Sequence, residues 1–379
     1  MATSSNALIQ ILRQEIEKED GRISFAAFME RALYHPAFGY YNTPQFNLGR
    51  EGDFTTAPEI SPLFARCFAR QYMEIFDALS TGNLLELGAG TGRFASDCLL
   101  ELERHRSLPD RYFIYEISET LRLKQQALLA STCPHLLPRV VWLNELPQQF
   151  VGIIVANEVL DALPVHCFRI EGHTVKERCV AWGKDRFIWQ PTAPTVTELA
   201  EKTMKIRERY ELADGYESEL NLNLPRFIES LTGALAQGVI LLADYGYGQQ
   251  EYYHPERRQG TLTCFYQHRR HDDPLILPGL QDITAHVDFT PVVETAVANE
   301  CTLGGYTTQA AFLFANGLIE LAEIEEKNLS PADTFHLHQA IKQLTLPTEM
   351  GDRIKVMALC KNMEHPLSGF SLLDRGRDL

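Results

Sequence analysis

Short apolar runs recur through the first two thirds of the chain, and each gives way to glycine or polar residues. Runs of this length predict strands that are buried on both faces, because such strands have no polar side to show. Apolar residues at helical spacing follow the first run and predict a helix over 91–103. The predicted core strands are 83–87, 111–115, 140–143, 152–156 and 239–243. Strands alternating with helical segments predict an α/β fold.

The N-terminal part shows different patterns. Residues 1–20 predict an amphipathic helix, and residues 23–60, rich in aromatics, prolines and glycines, predict a compact loop segment. Ser61 and Pro62 then predict the start of an amphipathic helix that runs to Leu79. In the core, a further helix is predicted over 119–130, with Ser118 as its cap, after the second core strand.

The stretch between the fourth and fifth predicted strands is much longer than an ordinary crossover, which predicts an insertion. Its patterns are β-type around 165–190 and helical around 194–212 and 224–236. Further along, 307–325 predicts a helix and 353–359 a late strand that returns to the sheet.

A glycine-rich run, Gly88-Ala89-Gly90-Thr91-Gly92, joins the first predicted strand to its helix. Glycine suits such a loop because the turn is tight, φ can be positive, and a ligand can approach backbone that carries no Cβ. A dinucleotide fingerprint would need glycine where the chain has Arg93, which argues against a dinucleotide enzyme. With Glu86 ahead of it, the loop has the acid-x-Gly-x-Gly-x-Gly form common in class I S-adenosylmethionine-dependent methyltransferases. A turn that binds nothing is the alternative.

Polar residues follow the ends of the other core strands. Glu116 ends the second strand, where a carboxylate can accept both hydrogen bonds of a ribose diol, the alternative being a solvated charge. Asn144 follows the third strand, where this type of sheet meets an adenine. Asn157 and Glu158 follow the fourth strand, which is expected beside the first, at the point where ligands bind. Ordinary helix capping is the alternative for Asn157.

The chain as a whole resembles the MidA family, the bacterial and mitochondrial methyltransferase-like proteins that include a mitochondrial complex I assembly factor. Segments that carry the resemblance are spread over nearly the whole length. They are Gly39-Tyr40-Tyr41, residues 52–61 (GDFTTAPEIS), 86–92 (ELGAGTG), 157–164 (NEVLDALP), 244–247 (DYGY), 260–262 (GTL), 282–289 (DITAHVDF) and 349–351 (EMG).

This resemblance implies a class I methyltransferase fold, a Rossmann-like doubly wound sheet with an elaborated insertion or accessory domain, and S-adenosylmethionine as cofactor. It also implies that Asp53 and Thr55 cover the bound cofactor. For the mitochondrial branch it implies symmetric dimethylation of a protein arginine, which makes a respiratory complex I subunit a candidate partner.

On this basis the chain divides into four parts. We expect an N-terminal helical and loop segment covering the cofactor site (1–80), a cofactor-binding core (81–170), an insertion (171–236), and the remainder of the core sheet with accessory elements (237–379).

Methylation of arginine needs groups that hold a guanidinium and take its proton, because the charged guanidinium is a poor nucleophile. Carboxylates can do both. Glu158 and Asp161, three residues apart after the fourth strand, are the first candidates. His286 and Asp288 are further catalytic candidates, with a structural role as the alternative for the histidine.

Composition narrows the function further. A formal net charge of −15 argues against a nucleic-acid partner and favours a cationic substrate. No apolar run approaches the roughly 20 residues that span a bilayer, and residues 1–20 resemble neither a signal nor a transit peptide, which predicts a bacterial cytoplasmic protein. Eight cysteines without a Cys-x-x-Cys pair predict free thiols. The histidine spacing around 268–271 fits no zinc motif, so no metal is predicted.

The first hypothesis is therefore a methyltransferase acting on protein arginine. A non-catalytic assembly or interaction protein that keeps the cofactor-binding fold, and a small-molecule methyltransferase, are the alternatives.

Overall fold

The computed structural model describes residues 2–43, 55–80, 82–267 and 269–379. Its strands are β1 (Arg22–Ile23), β2 (Asn83–Leu87), β3 (Tyr112–Tyr115), β4 (Val140–Leu143), β5 (Phe150–Asn157), β6 (His166–Glu171), β7 (Thr174–Gly183), β8 (Arg186–Thr192), β9 (Glu217–Leu220), β10 (Leu235–Tyr247), β11 (Thr263–Tyr266), β12 (Arg269–His271), β13 (Asp282–Thr284), β14 (Val287–Asp288), β15 (Thr302–Thr308) and β16 (Ile354–Lys361).

The α-helices in the same part of the chain are α1 (Ala2–Lys18), α2 (Phe25–Tyr34), α3 (Ala57–Ile60), α4 (Pro62–Leu79), α5 (Arg93–Arg104), α6 (Glu119–Thr132), α7 (Thr197–Tyr210), α8 (Leu224–Ala234), α9 (Gln249–Tyr252), α10 (Thr290–Ala298), α11 (Gln309–Ala315), α12 (Leu318–Glu326) and α13 (Pro331–Thr345).

A central sheet has the strand order β15-β16-β10-β5-β2-β3-β4, with β14 paired to the end of β10. The strands from β4 to β10 in this order are parallel to one another, whereas β16 is antiparallel to both of its neighbours, β10 and β15. The five predicted core strands and the late returning strand are confirmed. The expected neighbourhood of the first and fourth core strands is confirmed too, because β2 pairs with β5.

Helices cover both faces of this sheet because successive strand residues point to opposite sides. On β2, Leu84 lies in the core cluster that includes α4 and α5, whereas Leu85 lies in the cluster that includes α8 and α10. Both leucines are fully buried. A fully buried leucine contributes about 1.5–3 kcal/mol, so both layers stabilise the strands that end at the glycine loop.

The insertion forms a second, antiparallel sheet of order β1-β7-β6-β9, with β8 also paired to β7. Its apolar face packs against α1 and α2, for example through Leu12, Phe28 and Val180. Strand β1 joins this sheet through Arg22 and Ile23. The N-terminal segment and the insertion therefore share one core, and the predicted boundary after residue 170 lies within β6.

Two local predictions were wrong. Residues 23–60 do not form a loop segment throughout, because they contain α2, which Ser24 caps and whose apolar residues are buried on the second sheet. The single helix predicted over 307–325 is two helices, α11 and α12. They are separated at Gly317, whose φ of +77° ends the first helix. No helix among the described residues is long and apolar enough to cross a membrane.

Candidate functional site

A cavity of about 660 Å³ lies at the carboxyl ends of β2, β3 and β5. This is the edge of an open α/β sheet at which ligands bind. Six of the predicted site residues line it: Glu86, Gly88, Gly90, Glu116, Asn157 and Glu158.

The glycine loop forms one wall of this cavity. Gly88, Gly90 and Gly92 have φ values of +60°, +53° and +88°, a region that residues with a Cβ rarely adopt. A Cβ on Gly92 would lie 3.1 Å from Cα of Gln125, and one on Gly88 would lie 3.0 Å from a methyl carbon of Val159. Gly92 itself precedes α5 and does not line the cavity. Backbone conformation and close packing therefore both favour glycine in this loop.

Glu86 lies at the floor of the cavity, near the end of β2, and only 4% of its surface is exposed. The Tyr112 hydroxyl on the neighbouring strand donates a 2.7 Å hydrogen bond to its Oε2. Burial raises the pKa of Glu86 to about 8, although this hydrogen bond opposes the rise.

Glu116 is held at the tip of β3. Its Oε1 accepts from the Ser118 N–H at 2.9 Å, and its Oε2 accepts from Nε2 of Gln125 at 3.1 Å. Gln125 Nε2 also donates to the Gly90 carbonyl at 3.0 Å, and its Oε1 accepts from the Trp142 indole N–H at 2.9 Å. Burial raises the pKa of Glu116. Gln125 thus links the glycine loop to the Glu116 carboxylate at the end of β3.

Asn157 and Glu158 stand at the tip of β5, where the chain turns away from the sheet. Glu158 has a φ of +52°, which is uncommon for a residue with a side chain. Its Oε1 accepts from the Ala57 N–H at 3.2 Å and from Nδ2 of Asn157 at 3.3 Å. Burial raises the pKa of Glu158 to about 8, and the nearby Asp244 and Asp282 carboxylates raise it further. No helix follows Asn157 directly, so it does not cap one.

The N-terminal segment covers the cavity. Tyr34 and Tyr41 line it, with ring centroids 5.5 Å apart. The Tyr34 hydroxyl donates to the carbonyl of Ala162 at 2.9 Å, and the Tyr41 hydroxyl donates to Oδ1 of Asp282 at 2.8 Å. These two hydrogen bonds tie the covering aromatics to the turn region after β5 and to β13.

Helix α3 adds a second contact to the glycine loop. Its Glu59 lines the cavity, and the Thr91 hydroxyl donates a hydrogen bond to the Glu59 carboxylate. Thr55 lies two residues before α3 and is half-buried, and the next residue, Thr56, lines the cavity. Asp53 lies outside the described residues.

Two predicted residues lie near the cavity without lining it. Asn144 is exposed, lines a neighbouring cavity of about 620 Å³ that Glu116 also lines, and accepts a 2.7 Å hydrogen bond from Arg122. Asp161 is 7% exposed and lies three residues after Glu158 in the turn that follows β5. Burial raises the pKa of Asp161, and the Asp244, Glu158 and Asp282 carboxylates around it act in the same direction.

His286 and Asp288 line a separate cavity of about 20 Å³. The His286 ring lies parallel to Tyr245, with centroids 6.1 Å apart, and burial lowers its pKa to about 3. Asp288 accepts hydrogen bonds from Nε2 of Gln249 at 3.0 Å and from the Thr290 N–H at 3.1 Å, and burial raises its pKa to about 7. The structure therefore does not bring these two residues together with Glu158 around the main cavity.

The fold and the glycine-loop cavity define a class I methyltransferase. Residues 67–307 match the family of S-adenosyl-L-methionine-dependent methyltransferases, and the chain belongs to this family.

A Burkholderia thailandensis protein solved with S-adenosyl-homocysteine bound is 37% identical, with a TM-score of 0.93 over 99% of this chain and 97% of that one. A second structure from the same organism is 36% identical, with a TM-score of 0.91 over the same shares of the two chains. The mouse protein arginine methyltransferase NDUFAF7, mitochondrial, is 29% identical over 94% of this chain and 85% of its own length. The resemblance to the MidA family and the prediction of S-adenosylmethionine as cofactor are thus confirmed.

The cavity fits this cofactor. Its volume falls in the range of about 300–1,000 Å³ that is usual for small-molecule sites. Oδ1 of Asn157, in the cavity wall, is a buried acceptor with no hydrogen-bond partner among the described residues. Carboxylates for a polar ligand are present at the ends of two neighbouring strands, as Glu86 and Glu116.

Several residues around the cavity were missed from the sequence. Tyr34 lies in a segment predicted to be a loop, and Gln125 is a polar residue on the buried side of α6. Glu59 and Tyr41 belong to segments that carry the family resemblance, which was the available signal for them.

Proposed function

We propose that this methyltransferase acts on arginine side chains of proteins in the bacterial cytoplasm and produces symmetric dimethylarginine. The observation that carries the proposal is the Glu158 carboxylate, which faces the same cavity as the glycine loop. A cationic acceptor also suits the net charge of −15. The relationship to the mouse protein arginine methyltransferase supports arginine as the acceptor.

Cofactor binding is assigned to the strand ends. Glu116 holds the ribose diol, Asn157 and Glu86 bind polar groups of the cofactor, and the backbone of Gly88 and Gly90 allows its close approach. The proposal keeps the predicted roles of the remaining residues. Asp53 and Thr55 cover the bound cofactor, Asn144 lies where the adenine is expected, and Gly92 completes the glycine loop. When bound, S-adenosylmethionine supplies a methyl group on a positively charged sulfur.

Glu158 binds and orients the acceptor. Its Oε1 already accepts two hydrogen bonds, while Oε2 makes none within the described chain, so Oε2 is available to a guanidinium N–H. A carboxylate at this position fixes the planar guanidinium and can take the proton that the nitrogen releases. Its raised pKa, about 8, makes it a stronger base than an exposed glutamate. Orientation of this kind can lower a barrier by roughly 7–11 kcal/mol.

The side chains around Glu158 restrict what can approach it. Tyr34 and Tyr41 present aromatic faces on which a guanidinium can stack. Asp161, His286 and Asp288 were predicted as catalytic groups as well, but they do not line this cavity, so our proposal centres on Glu158.

The test is transfer of labelled methyl groups from S-adenosylmethionine to proteins extracted from cells that lack this gene. Acid hydrolysis then separates symmetric from asymmetric dimethylarginine, and mass spectrometry of methylated peptides identifies the acceptor. A respiratory complex I subunit is the acceptor that the family resemblance implies. Label on lysine, on a small molecule or on no acceptor would contradict the arginine proposal, and Glu158→Gln protein is the negative control.

A further inference from the structure

Asp244 is a fully buried carboxylate near the end of β10, next to the turn that follows β5. Its Oδ2 accepts hydrogen bonds from three consecutive backbone N–H groups, those of Val159, Leu160 and Asp161, at 3.1, 2.8 and 3.3 Å. Its Oδ1 accepts from the Tyr245 N–H at 2.8 Å. One side chain on the fifth core strand therefore satisfies the whole turn that leaves the fourth.

This turn begins at Glu158. The Glu158 N–H makes the last hydrogen bond to β10, to the Ala243 carbonyl at 2.8 Å, and its φ of +52° then directs the chain away from the sheet. A backbone conformation of this kind persists only where surrounding contacts hold it. Without Asp244, the next three N–H groups would lose their shared acceptor next to a buried core, which is costly.

We propose that Asp244 is the positioning residue of this site: it holds the turn 158–161 so that the Glu158 carboxylate faces the cavity. It acts through Glu158 and does not line the cavity itself. A second contact supports the same turn, since the Asp161 carbonyl accepts from the Ala285 N–H at 3.0 Å.

The chemistry requires a carboxylate at position 244. All four groups that hydrogen-bond to it are N–H donors, so the side chain accepts at both oxygens. Asparagine keeps one acceptor, so its oxygen can still serve the three turn N–H groups while its NH₂ donor faces the Tyr245 N–H. Asp244→Asn is therefore a mild test that conserves shape, and Asp244→Ala removes every acceptor.

The first measurement is hydrogen exchange of the backbone amides, which does not depend on any substrate. We expect the amides of residues 159–161 to exchange at least about tenfold faster in Asp244→Ala, which removes their shared acceptor, and to a smaller extent faster in Asp244→Asn. Glu177→Gln is the matched control, because Glu177 is also fully buried and accepts a backbone N–H, that of Thr195, but lies in the second sheet. It should leave the exchange of 159–161 unchanged.

The second measurement uses labelled methyl transfer to proteins of the deletion-strain extract, with S-adenosylhomocysteine affinity determined in parallel. This part rests on the proposed function. We expect Asp244→Ala to lower transfer at least about tenfold while affinity stays within about threefold. In a Glu158→Gln background the same substitution should cause no further loss, because its effect passes through Glu158.

Unchanged exchange of 159–161 in both Asp244 variants would overturn the inference, whatever the activity of Glu158. An equal loss of transfer in the wild-type and Glu158→Gln backgrounds would overturn it as well. If Glu158→Gln alone transfers methyl groups at the wild-type rate, the proposed role of Glu158 fails, and the exchange result still decides whether Asp244 holds the turn.

Discussion

The backbone N–H of Ala57 donates a 3.2 Å hydrogen bond to Oε1 of Glu158, 101 residues away in sequence. Ala57 begins α3 in the covering segment, and Glu158 ends β5 in the central sheet. The next contact of α3, from Glu59 to Thr91, reaches the glycine loop. One short helix therefore connects the cover of the cavity to both the proposed cofactor side and the proposed acceptor side.

The proposed ribose contact predicts the effect of Glu116→Ala on cofactor binding. Loss of a hydrogen bond to a charged group costs about 1.5–3 kcal/mol, so the dissociation constant for S-adenosylhomocysteine should rise about 10-fold to 150-fold. Calorimetry measures it. The control is Glu103→Ala, at the far end of α5, where the carboxylate pairs with His135. Equal affinity in Glu116→Ala, or tight binding of NAD by the wild-type protein, would contradict the assignment.

The glycine loop gives a second prediction. Gly90→Val places a β-branched residue at a φ of +53°, in the wall of the cavity, and should abolish cofactor binding. Gly172→Val is a matched control, because Gly172 has a φ of +55° and a Cβ there would meet no atom within 4 Å. Both variants carry similar backbone strain, of the order of 1 kcal/mol or more. Binding titrations with circular dichroism should show loss of binding in Gly90→Val alone, and retained binding would mean that the loop does not approach the ligand.

The core of the fold could be predicted because its signals are local. Residues 83–87 and 140–143 are short apolar runs, and they form β2 and β4 with the predicted bounds. The glycine loop and the polar strand ends are local signals too, and a parallel sheet brings such ends to one edge. This is why Glu86, Glu116 and Glu158 meet around one cavity although they come from three different strands.

Other features depend on contacts between distant parts of the chain. Pairing of Arg22 with Ala181 joins the N-terminal segment to the insertion, and no local pattern encodes it. The role of the buried Gln125 amide depends on its hydrogen bonds to Gly90 and Glu116, and no local pattern around Gln125 indicates these partners. The same reason accounts for His286, which was predicted as a catalytic candidate but lines another cavity.

The raised pKa values predict how stability depends on pH. Burial raises the pKa of Glu86 and of Glu158 to about 8, well above the value of about 4.3 for an unfolded glutamate. Between these values the folded state keeps protons that the unfolded chain releases, so stability falls as pH rises from about 4.3 to 8 and then levels off. The decrease in thermal midpoint from pH 6 to pH 9 should therefore be smaller in Glu158→Gln and in Glu86→Gln.

The control for this measurement is Glu119→Gln, whose side chain is exposed at the start of α6. The same decrease in all of these variants and in the wild-type protein would show that neither buried glutamate binds a proton in the folded state over this range. A larger decrease in Glu158→Gln would reverse the sign of its contribution.

The last prediction separates the two carboxylates that follow β5. Glu158 lines the cavity, whereas Asp161, a buried residue of the same turn, does not. Glu158→Gln should keep S-adenosylhomocysteine affinity and lower methyl transfer at least about 100-fold, the scale of a positioned acid or base. Asp161→Asn should lower transfer less than about tenfold, because its side chain does not reach the acceptor. Labelled methyl transfer per folded molecule measures both, and a greater loss in Asp161→Asn than in Glu158→Gln would assign the acceptor-binding role to Asp161.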